Sequence, residues 1–486
     1  TKKVLTSISQ PELAVIEGVS ELLEENNIKA SDIKMIIHGT TLATNAVIER
    51  KGAKTCFITT SGFRDVLDIG YESRFDQYDI LIDKTMSLVP RKHRYVIDER
   101  TDVNGSIITS IDKGQFYNLI TKIKNEKFES IAVGFLHSYA NPENEKILKT
   151  FLTNELPDVE VSVSSDVCPE IREYERFTTT VVNAYIKPLM SNYLKKLDQK
   201  LLNSGFNCPL LLMTSGGTLT NISSACNNPV RLVESGPAGG AILATSIAED
   251  MNLSKVISFD MGGTTAKITI IENKKAIKAR EFEVDRKARF KKGSGYPLRI
   301  PVIEMVEIGA GGGSIARVNK LEQIITGPDS AGSFPGPACY SNGGSMPTIT
   351  DADLVIGKIN PDNFAGGKIK LSKQLADIAI TENIVKFVNI DTNIAALAIS
   401  EIVDETMSNA ARVHTVEQGH ETSNRTLIAF GGAAPLHIAR VAEKLRVSNI
   451  IIPSNASVGS AVGFLKAPVG YEVVKSLRML LNSFEA

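Results

Sequence analysis

The chain has 486 residues, of which 43% are hydrophobic and 22% charged, and its formal net charge at pH 7 is -1. That length predicts about two to four domains, and the near-neutral charge gives no electrostatic bias toward nucleic acid or an anionic membrane, so we expect neither as a partner. Neither a run of about 18 apolar residues nor a signal-peptide pattern is present. The cysteines are far apart and form no C-x-x-C pair, which predicts a reducing, cytoplasmic location.

Short β-branched runs alternate with longer helical patterns, which predicts an α/β fold with mixed sheets. Several runs are apolar on both faces, as buried sheets require. The predicted strands cover 33–39, 55–60, 130–137, 159–165, 209–215, 256–263, 267–273, 425–432 and 447–453. The predicted helices cover 142–156, 170–205, 237–251, 392–418 and 435–445, the first of them capped by Asn141.

Three stretches interrupt this alternation. Pro188 lies inside the long helical pattern 170–205 and predicts a kink or break there, with a domain boundary nearby. Residues 287–300 are basic and punctuated by Gly and Pro, so we expect an exposed loop. Residues 309–344 are very rich in glycine and small side chains, and a stretch of this length without regular structure is usually functional or disordered.

The segment SKVISFDMGGTTAKITII, residues 254–271, predicts a strand, a tight turn and a second strand. An Asp at the strand end followed by Gly262, Gly263, Thr264 and Thr265 lets backbone amides and hydroxyls approach a phosphate, while the carboxylate reaches a hydrated divalent cation. In the alternative interpretation the glycines merely supply positive φ angles to a hairpin. The turn on its own does not decide between the two.

Neighbouring segments favour the phosphate interpretation. VESGPAGG places Glu234, predicted at a strand end, before a small-residue helix. LIAFGGAAPLH places Gly431, Gly432 and Ala433 between a strand and a helix, and 457–467 predicts a second small-residue helix. This order resembles the second half of the actin, Hsp70 and sugar-kinase nucleotide-binding core, a two-lobed, ribonuclease H-like ATPase fold with a nucleotide cleft between the lobes.

A closer resemblance covers nearly the whole chain. The segments HGTTLATNAVIERKG, TTSGFRDVLDIG, DVCPEIREYERFTTTVVNAY, MTSGGTL, FDMGGTTAK, GPDSAGSFPGPACY and TITDADLVIGKI resemble the hydantoinase A and oxoprolinase family, in family order. The resemblance implies an N-terminal domain over 1–176 and a core domain over 185–473. Within the core it implies that lobe I ends at about 250, that lobe II covers about 251–456, and that a hinge helix covers 457–467.

The implied activity is ATP-dependent hydrolysis of a cyclic amide, of the hydantoin or oxoproline type, by phosphorylation of the amide oxygen. A hydantoinase B-like subunit would then hydrolyse the activated species, which implies a hetero-oligomer. The implied alternatives are a subunit of an ATP-dependent ketone carboxylase and a nucleotide-binding module without turnover. The implied cofactors are ATP and Mg²⁺.

The resemblance also implies roles for individual residues. Asp260 would hold Mg²⁺ through water and Glu234 would orient the metal-bound water or the attacking group, which makes both catalytic. The phosphates would contact the turn from Gly262 to Thr265, and the adenosine would contact Gly431, Gly432 and Ala433. The family more often has glycine where this chain has Ala434. Whether the backbone at this position approaches the adenosine as closely is therefore left open.

Other polar residues admit two interpretations. His38 is either a substrate contact, together with Thr40, Thr41, Thr44 and Asn45, or a histidine with a structural hydrogen bond. His137 fits a structural hydrogen bond better than a metal site, because no second ligand lies nearby in the sequence. Cys339 fits a buried structural thiol better than a nucleophile, because no paired histidine is recognisable.

The family pattern begins with a first phosphate hairpin that this sequence does not show. We therefore expect a fragment that lacks this hairpin and that ends, over 474–486, at the start of a C-terminal region. Such a fragment is expected to bind ATP weakly until the upstream strands are restored, because each hairpin supplies donors to one side of the phosphates.

Overall fold

The computed structural model describes residues 2, 10–82, 84–288, 292–367, 369–477 and 479. The chain forms two compact units. Unit 1 comprises Thr1–Gly236, Lys278–Val302 and Ala467–Ala486, and unit 2 comprises Pro237–Ile277 and Ile303–Lys466. The return of 278–302 to unit 1 was not predicted, and the lobe limits near 250 and 456 stay a prediction.

The helices agree with the sequence pattern where it was strongest. The predicted helices 142–156, 237–251, 392–418 and 435–445 each form within two residues of their expected limits. The α-helices are α1 (Pro11–Glu25), α2 (Leu42–Ile48), α3 (Val66–Ile69), α4 (Gly114–Glu126), α5 (Glu143–Glu155), α6 (Ser164–Val167), α7 (Glu173–Asn203), α8 (Ile222–Asn227), α9 (Ser235–Asp250), α10 (Ile349–Val355), α11 (Lys373–Ile380), α12 (Lys386–Val388), α13 (Thr392–Glu417), α14 (Ala434–Leu445) and α15 (Gly459–Phe464).

All the predicted strands form, and short additional strands lie between them. The strands are β1 (Ile36–His38), β2 (Thr55–Thr60), β3 (Arg94–Ile97), β4 (Arg100–Thr101), β5 (Ile107–Thr109), β6 (Ser130–Gly134), β7 (Glu160–Val163), β8 (Leu210–Met213), β9 (Leu219–Asn221), β10 (Lys255–Met261), β11 (Ala266–Glu272), β12 (Lys275–Ala276), β13 (Lys278–Ala279), β14 (Phe282–Val284), β15 (Tyr296–Leu298), β16 (Val302–Ile303), β17 (Met305–Ile308), β18 (Ser314–Val318), β19 (Ile324–Ser330), β20 (Thr426–Phe430) and β21 (Asn449–Ile451).

Helix ends are held by the polar residues that the sequence places there. Asn141 Oδ1 accepts a hydrogen bond from the backbone N–H of Glu143 at 3.1 Å, at the start of α5. The carboxylate of Asp391 accepts from Asn393 N at 2.8 Å, at the start of α13. Each bond satisfies a backbone donor that has no partner inside the helix.

Unit 1 contains a parallel sheet in the order β3-β2-β6-β7, and β1 pairs in parallel with β8, which pairs antiparallel with β9. Helix α7 packs its apolar side chains, among them Val182, Ile186 and Leu194, into the largest core cluster of this unit. The buried strands read as near-continuous apolar runs because parallel strands are covered on both faces.

Helix α7 continues through Pro188, so the predicted break is wrong. Next to the proline, Tyr185 O accepts a hydrogen bond from the N–H of Ala53 at 2.8 Å. Residues on both sides of Pro188, such as Ile186 and Met190, are fully buried. Tertiary packing therefore holds a helix that the local sequence disfavours.

Unit 2 is built on a mixed sheet in the order β12-β11-β10-β20-β21, with β17 also paired to β11. Strand β11 is antiparallel to β10, whereas β20 is parallel to β10 and β21 is parallel to β20. Three strands in antiparallel succession followed by two parallel ones form the ribonuclease H-like arrangement. The predicted class, α/β with mixed sheets, is confirmed.

Two predicted loops contain regular structure. Within 287–300, Tyr296–Leu298 form the buried strand β15, which pairs with β14; residues 289–291 lie outside the described part. Within 309–344, strands β18 and β19 pair antiparallel. The expectation of an irregular stretch was therefore wrong for these segments, because pairing between distant residues supplies their backbone hydrogen bonds.

Candidate phosphate and nucleotide site

Asp260 lies where the carboxyl ends of two parallel strands of unit 2 meet. It is the penultimate residue of β10, and its Cα partner on β20 is Phe430, the last residue of that strand. Gly431 follows at once, so the two predicted turns leave the sheet side by side. The carboxyl edge of parallel strands is where ligands bind in open α/β sheets.

The Asp260 carboxylate lies in a confined, partly buried environment. Ser460 Oγ donates a hydrogen bond to Oδ2 at 2.7 Å. A Cβ at Gly431 would lie 2.7 Å from Oδ1, and a Cβ at Gly240 would lie 3.1 Å from Oδ2. Burial raises the pKa of Asp260, while the Ser460 hydrogen bond and the charge of Lys267 partly oppose that rise.

The turn after Asp260 does not need glycine for its own shape. Gly262 N donates to Thr265 O at 3.1 Å, which closes the hairpin. Neither Gly262 nor Gly263 has a positive φ, and a Cβ at either would meet nothing within 4 Å. The alternative in which the glycines supply positive φ angles is therefore wrong, and the turn presents bare backbone to open space.

A second glycine segment, Gly311–Gly313, packs against the other side of this turn. Gly312 N donates to Gly262 O at 3.0 Å, and Gly313 N donates to Gly263 O at 2.7 Å. A Cβ at Gly311 would lie only 2.4 Å from Thr264 N, so side chains are excluded there. The sequence signal for this contact was the run GAGGGS, residues 309–314, at the start of the glycine-rich stretch 309–344, for which no partner was predicted.

These two hydrogen bonds determine where the amides of the turn point. In a trans peptide, the N–H of each residue points away from the carbonyl of the residue before it. Since the carbonyls of Gly262 and Gly263 face the second glycine segment, the N–H groups of Gly263 and Thr264 point to the opposite, exposed side. Successive backbone N–H groups around a concave turn form an anion-binding arrangement.

The Gly431–Ala433 turn is held against the end of β10. Ala433 N donates to Met261 O at 2.9 Å, and Gly431 N donates to Ala456 O at 2.7 Å. Gly431 has a φ of 91°, and a Cβ there would lie 2.3 Å from Met261 O, so this position requires glycine. Ala434, 2% exposed, begins α14.

Helices α9 and α15, which form at the two small-residue patterns of the sequence, cross beside Asp260. A Cβ at Gly463 would lie 1.8 Å from Gly239 O, and a Cβ at Gly239 would lie 2.4 Å from Ser460 O. The backbones can approach this closely because both helices have glycine at the crossing. The crossing places Ser460 within hydrogen-bonding distance of the Asp260 carboxylate.

In unit 1, the predicted substrate segment lies against Glu234. Thr44 Oγ1 accepts from the N–H of Glu234 at 3.0 Å, and Ser235 Oγ donates to Thr40 O at 3.1 Å. Glu234 directly precedes α9 rather than ending a strand, which corrects that prediction. Its φ of 60° is unusual for a residue with a side chain, and such strain is concentrated at functional sites.

The remaining predicted residues are held by hydrogen bonds. His38 Nε2 lies 2.9 Å from Tyr193 Oη, and burial lowers the pKa of His38 to about 4. His137 Nδ1 lies 3.0 Å from Thr101 O. Cys339 is fully buried, its N–H donates to Asp351 Oδ1 at 2.7 Å, and burial raises the pKa of its thiol. Asn45 Nδ2 donates to Thr41 Oγ1 at 3.4 Å.

The donor set suits a phosphate-bound cation better than a metal held by protein alone. Within the described ranges, no group of three or more His, Cys, Asp or Glu could hold a metal ion. Mg²⁺ is commonly bound by one or two carboxylates together with water and phosphate oxygens. The single carboxylate of Asp260, next to the exposed amides of Gly263 and Thr264, fits that pattern.

The fold and this strand-end turn define an α/β protein with a ribonuclease H-like sheet. Residues 176–473 match the hydantoinase/oxoprolinase family model, and residues 1–156 match the model of the N-terminal region of that family. The chain therefore belongs to the hydantoinase/oxoprolinase family, and the resemblance seen in the sequence is confirmed.

Relatives and solved structures support this assignment. An uncharacterised protein of Methanocaldococcus jannaschii is 40% identical over 98% of this chain and 70% of its own length. Caprolactamase subunit alpha of Pseudomonas jessenii is 33% identical over 93% of this chain and 64% of its own length. The crystal structure of the ATP-dependent caprolactamase from Pseudomonas jessenii matches with a TM-score of 0.81 and 32% identity, covering 94% of this chain and 66% of that chain.

A nucleotide-free structure of acetone carboxylase, described as performing ATP-dependent acetone carboxylation, matches with a TM-score of 0.80 and 25% identity. It covers 95% of this chain and 66% of that chain. The chain thus spans less than two thirds of the length of the caprolactamase subunit, 64%, and of the acetone carboxylase chain, 66%. Among the described residues, no helix is long and apolar enough to cross a membrane.

Proposed function

We propose that this chain carries the nucleotide-binding part of an enzyme that uses ATP to open a cyclic amide. The observation that carries the proposal is the turn after Asp260. Its glycines are required neither by φ nor by packing. The carbonyls of Gly262 and Gly263 accept from Gly312 and Gly313, which turns the N–H groups of Gly263 and Thr264 to the opposite side. The ATP dependence of the caprolactamase whose structure this chain matches supports the same assignment.

The turn residues bind and orient the phosphates. The N–H groups of Gly263 and Thr264 and the hydroxyls of Thr264 and Thr265 donate to phosphate oxygens, and Asp260 holds Mg²⁺ through water. The cation neutralises charge on the phosphates when it is bound. Positioning and charge neutralisation account for most of the rate acceleration in phosphoryl transfer.

Two further roles belong to the proposal. The Gly431–Ala433 turn lies on the adenosine, where bare backbone allows the nucleoside to approach closely. Glu234 orients the attacking group, and its left-handed backbone conformation supports a functional role. His38, Thr40, Thr41 and Asn45 contact the substrate.

The proposed hydrolysis of the cyclic amide has three steps. The amide oxygen attacks the γ-phosphorus, ADP leaves, and the amide proton is released to give an imidate phosphate. One water adds to the ring carbon, and the C–N bond breaks to give an amine and an acyl phosphate. A second water releases inorganic phosphate and the carboxylic acid. Phosphorylation is needed because an amide carbonyl is a poor electrophile.

A hydantoinase B-like partner performs the hydrolytic steps in this proposal. The name caprolactamase subunit alpha, given to a relative of this chain, supports a multi-subunit assembly. The second candidate is a subunit of an ATP-dependent ketone carboxylase, which the match to acetone carboxylase favours.

The deciding experiment measures ADP release by the full-length protein together with its partner subunit. Oxoproline, hydantoin, caprolactam, and acetone with bicarbonate are supplied separately. Stimulation by a cyclic amide supports the proposal, and stimulation by the ketone with bicarbonate alone supports the carboxylase. ATP binding without any stimulated release would overturn both and indicate a nucleotide-binding module.

A further inference from the structure

A buried charged cluster outside the phosphate turn joins three helices of unit 2. His437 on α14 lies between Asp404 on α13 and Asp353 on α10, and all three residues are at most 2% exposed. His437 Nδ1 is hydrogen-bonded to Asp404 Oδ1 at 2.8 Å. His437 Nε2 lies 3.0 Å from Asp353 Oδ2, an ion-pair contact whose alignment falls short of a hydrogen bond.

The two neighbouring carboxylates favour a proton on each ring nitrogen. A neutral imidazole has one N–H and one acceptor nitrogen, whereas carboxylate oxygens only accept. Carboxylates on both sides therefore favour the imidazolium form of His437. Burial opposes that form, but Asp353 and Asp404 outweigh it and raise the pKa of His437 to about 9.

Stabilisation of helix α14 does not explain a positive charge at His437. His437 is the fourth residue of α14, and a positive charge in the first turn of a helix is disfavoured by the helix dipole. The other positive group near the cluster, Lys358, contacts Asp353 Oδ1 at 3.6 Å and Ser400 Oγ at 2.8 Å. The Asp404 carboxylate has no second basic partner among the contacts of the described residues.

The helix that carries His437 begins directly after the Gly431–Ala433 turn. Leu436 N donates to Ala433 O at 3.0 Å, which joins the turn to the first turn of α14. Ala433 N in turn donates to Met261 O at 2.9 Å, beside Asp260. A displacement of the start of α14 would therefore move this turn relative to the end of β10.

We propose that His437, held between Asp353 and Asp404, is a positioning residue for the nucleoside-binding turn Gly431–Ala433. The inference rests on the proposed function, because it takes that turn as the adenosine contact. It assigns His437, on α14, to nucleoside affinity and not to phosphate affinity. The phosphate turn is held by Gly312 and Gly313, and Gly312 O accepts a hydrogen bond from the N–H of Thr350 on α10 at 2.8 Å. Helix α14 therefore joins the cluster to the nucleoside turn, and α10 joins it to the segment that holds the phosphate turn.

The test compares two probes on the full-length protein, ATP and inorganic triphosphate, by calorimetric titration with Mg²⁺ at pH 7. His437→Gln should weaken ATP binding at least tenfold while the affinity for triphosphate stays within twofold. The matched control is Arg440→Gln, which removes a surface ion pair between the same helices, Arg440 to Glu401 at 2.9 Å, and should change neither affinity.

A pH series separates positioning from a general packing defect. The ratio of ATP affinity to triphosphate affinity should fall for the wild type as the pH rises through about 9. That fall should be absent in His437→Gln. Asp404→Asn, which removes the charge on α13 and keeps an oxygen that can accept from His437 Nδ1, serves as the second variant if His437→Gln does not fold.

The outcomes distinguish the inference from the proposed function. If the wild type binds triphosphate but not ATP, the adenosine assignment fails and the inference fails with it. If the wild type binds ATP and the folded variants keep wild-type ATP affinity, the inference alone is overturned. Equal losses of ATP and triphosphate affinity would also overturn it, because they would show a general disturbance of unit 2.

Discussion

Asp260 keeps one carboxylate oxygen hydrogen-bonded to Ser460, while its other oxygen lies on the side of Gly431. A carboxylate with only a packing role would not need the adjacent glycine turn at 262–263, which lacks side chains. Burial raises the pKa of this group, which increases the cost of its charge unless a cation or a hydrogen bond compensates. The surroundings of Asp260 therefore match a metal-water contact.

Asp260→Asn should lower the kcat of substrate-stimulated ATP hydrolysis about 10³-fold, because the neutral amide no longer holds a cation. The fold should persist, since an amide oxygen can still accept from Ser460. Steady-state ADP release and thermal melting check both statements. Wild-type turnover by the folded variant would refute the role of Asp260.

Ser460→Ala serves as a matched control, and it should change the pH dependence of kcat/KM. The Ser460 hydrogen bond lowers the pKa of Asp260, so its removal should raise that pKa further. Because the carboxylate form is the active one, the acid limb of the kcat/KM profile should move to higher pH. An unshifted limb would mean that Asp260 does not control it.

Glu234→Gln should lower kcat about 10²-fold with little change in nucleotide affinity, because it removes charge and preserves shape. The control is Glu249→Gln at the exposed far end of α9, which should be neutral. An unchanged kcat for Glu234→Gln would leave only a structural role for this residue.

The two glycine segments of unit 2 differ in why they contain glycine. Gly311 is required by packing, because a Cβ would lie 2.4 Å from Thr264 N. Gly263, on the turn that Gly311 contacts, has free space where a Cβ would lie and no positive φ. Close packing therefore explains the glycine at position 311, and access for a ligand explains the glycine at position 263.

Alanine substitutions should separate these two causes. Gly263→Ala should leave the free energy of unfolding within about 1 kcal/mol, because alanine fits the backbone conformation, yet weaken binding of ATP and of inorganic triphosphate at least tenfold. Gly311→Ala should cost about 1–3 kcal/mol from overpacking. Denaturant unfolding and calorimetric titration measure the two effects. The opposite pattern would show that the turn is structural.

Charge inside the core of unit 2 links the stability of the whole chain to pH. The pKa of His437 is raised to about 9 from 6.5. A raised pKa of a base stabilises the folded state fully below the unfolded value, near pH 6.5, and this contribution is lost as the pH rises through about 9.

The wild type should therefore lose on the order of 3 kcal/mol of stability from this group between pH 6.5 and pH 9.5. His437→Gln should be less stable at pH 7 and should show a flatter decline over that interval. Melting temperatures of both proteins at pH 6.5, 8 and 9.5 provide the measurement. Parallel declines would show that His437 does not carry the charge.

Local sequence patterns were sufficient to predict many of the strands and helices of this protein and its two glycine turns. Alternating apolar runs and helical spacing located β10, β11, β20, α13 and α14, because periodicity reflects which face of an element is buried. The order of motifs identified the family. The Asp-Met-Gly-Gly-Thr-Thr turn and the Gly-Gly turn could be recognised because each lies within a few residues of the end of its own strand.

Contacts between distant residues decided the rest. No local signal shows that Gly312 and Gly313 bind the carbonyls of the turn at 262–263, although this contact directs the amides outward. Likewise, the long helix continues through Pro188, residues 278–302 return to unit 1, and His437 meets Asp353 and Asp404. Each depends on packing free energy summed over residues far apart in the chain, which outweighs local propensity and leaves no periodic trace in the sequence.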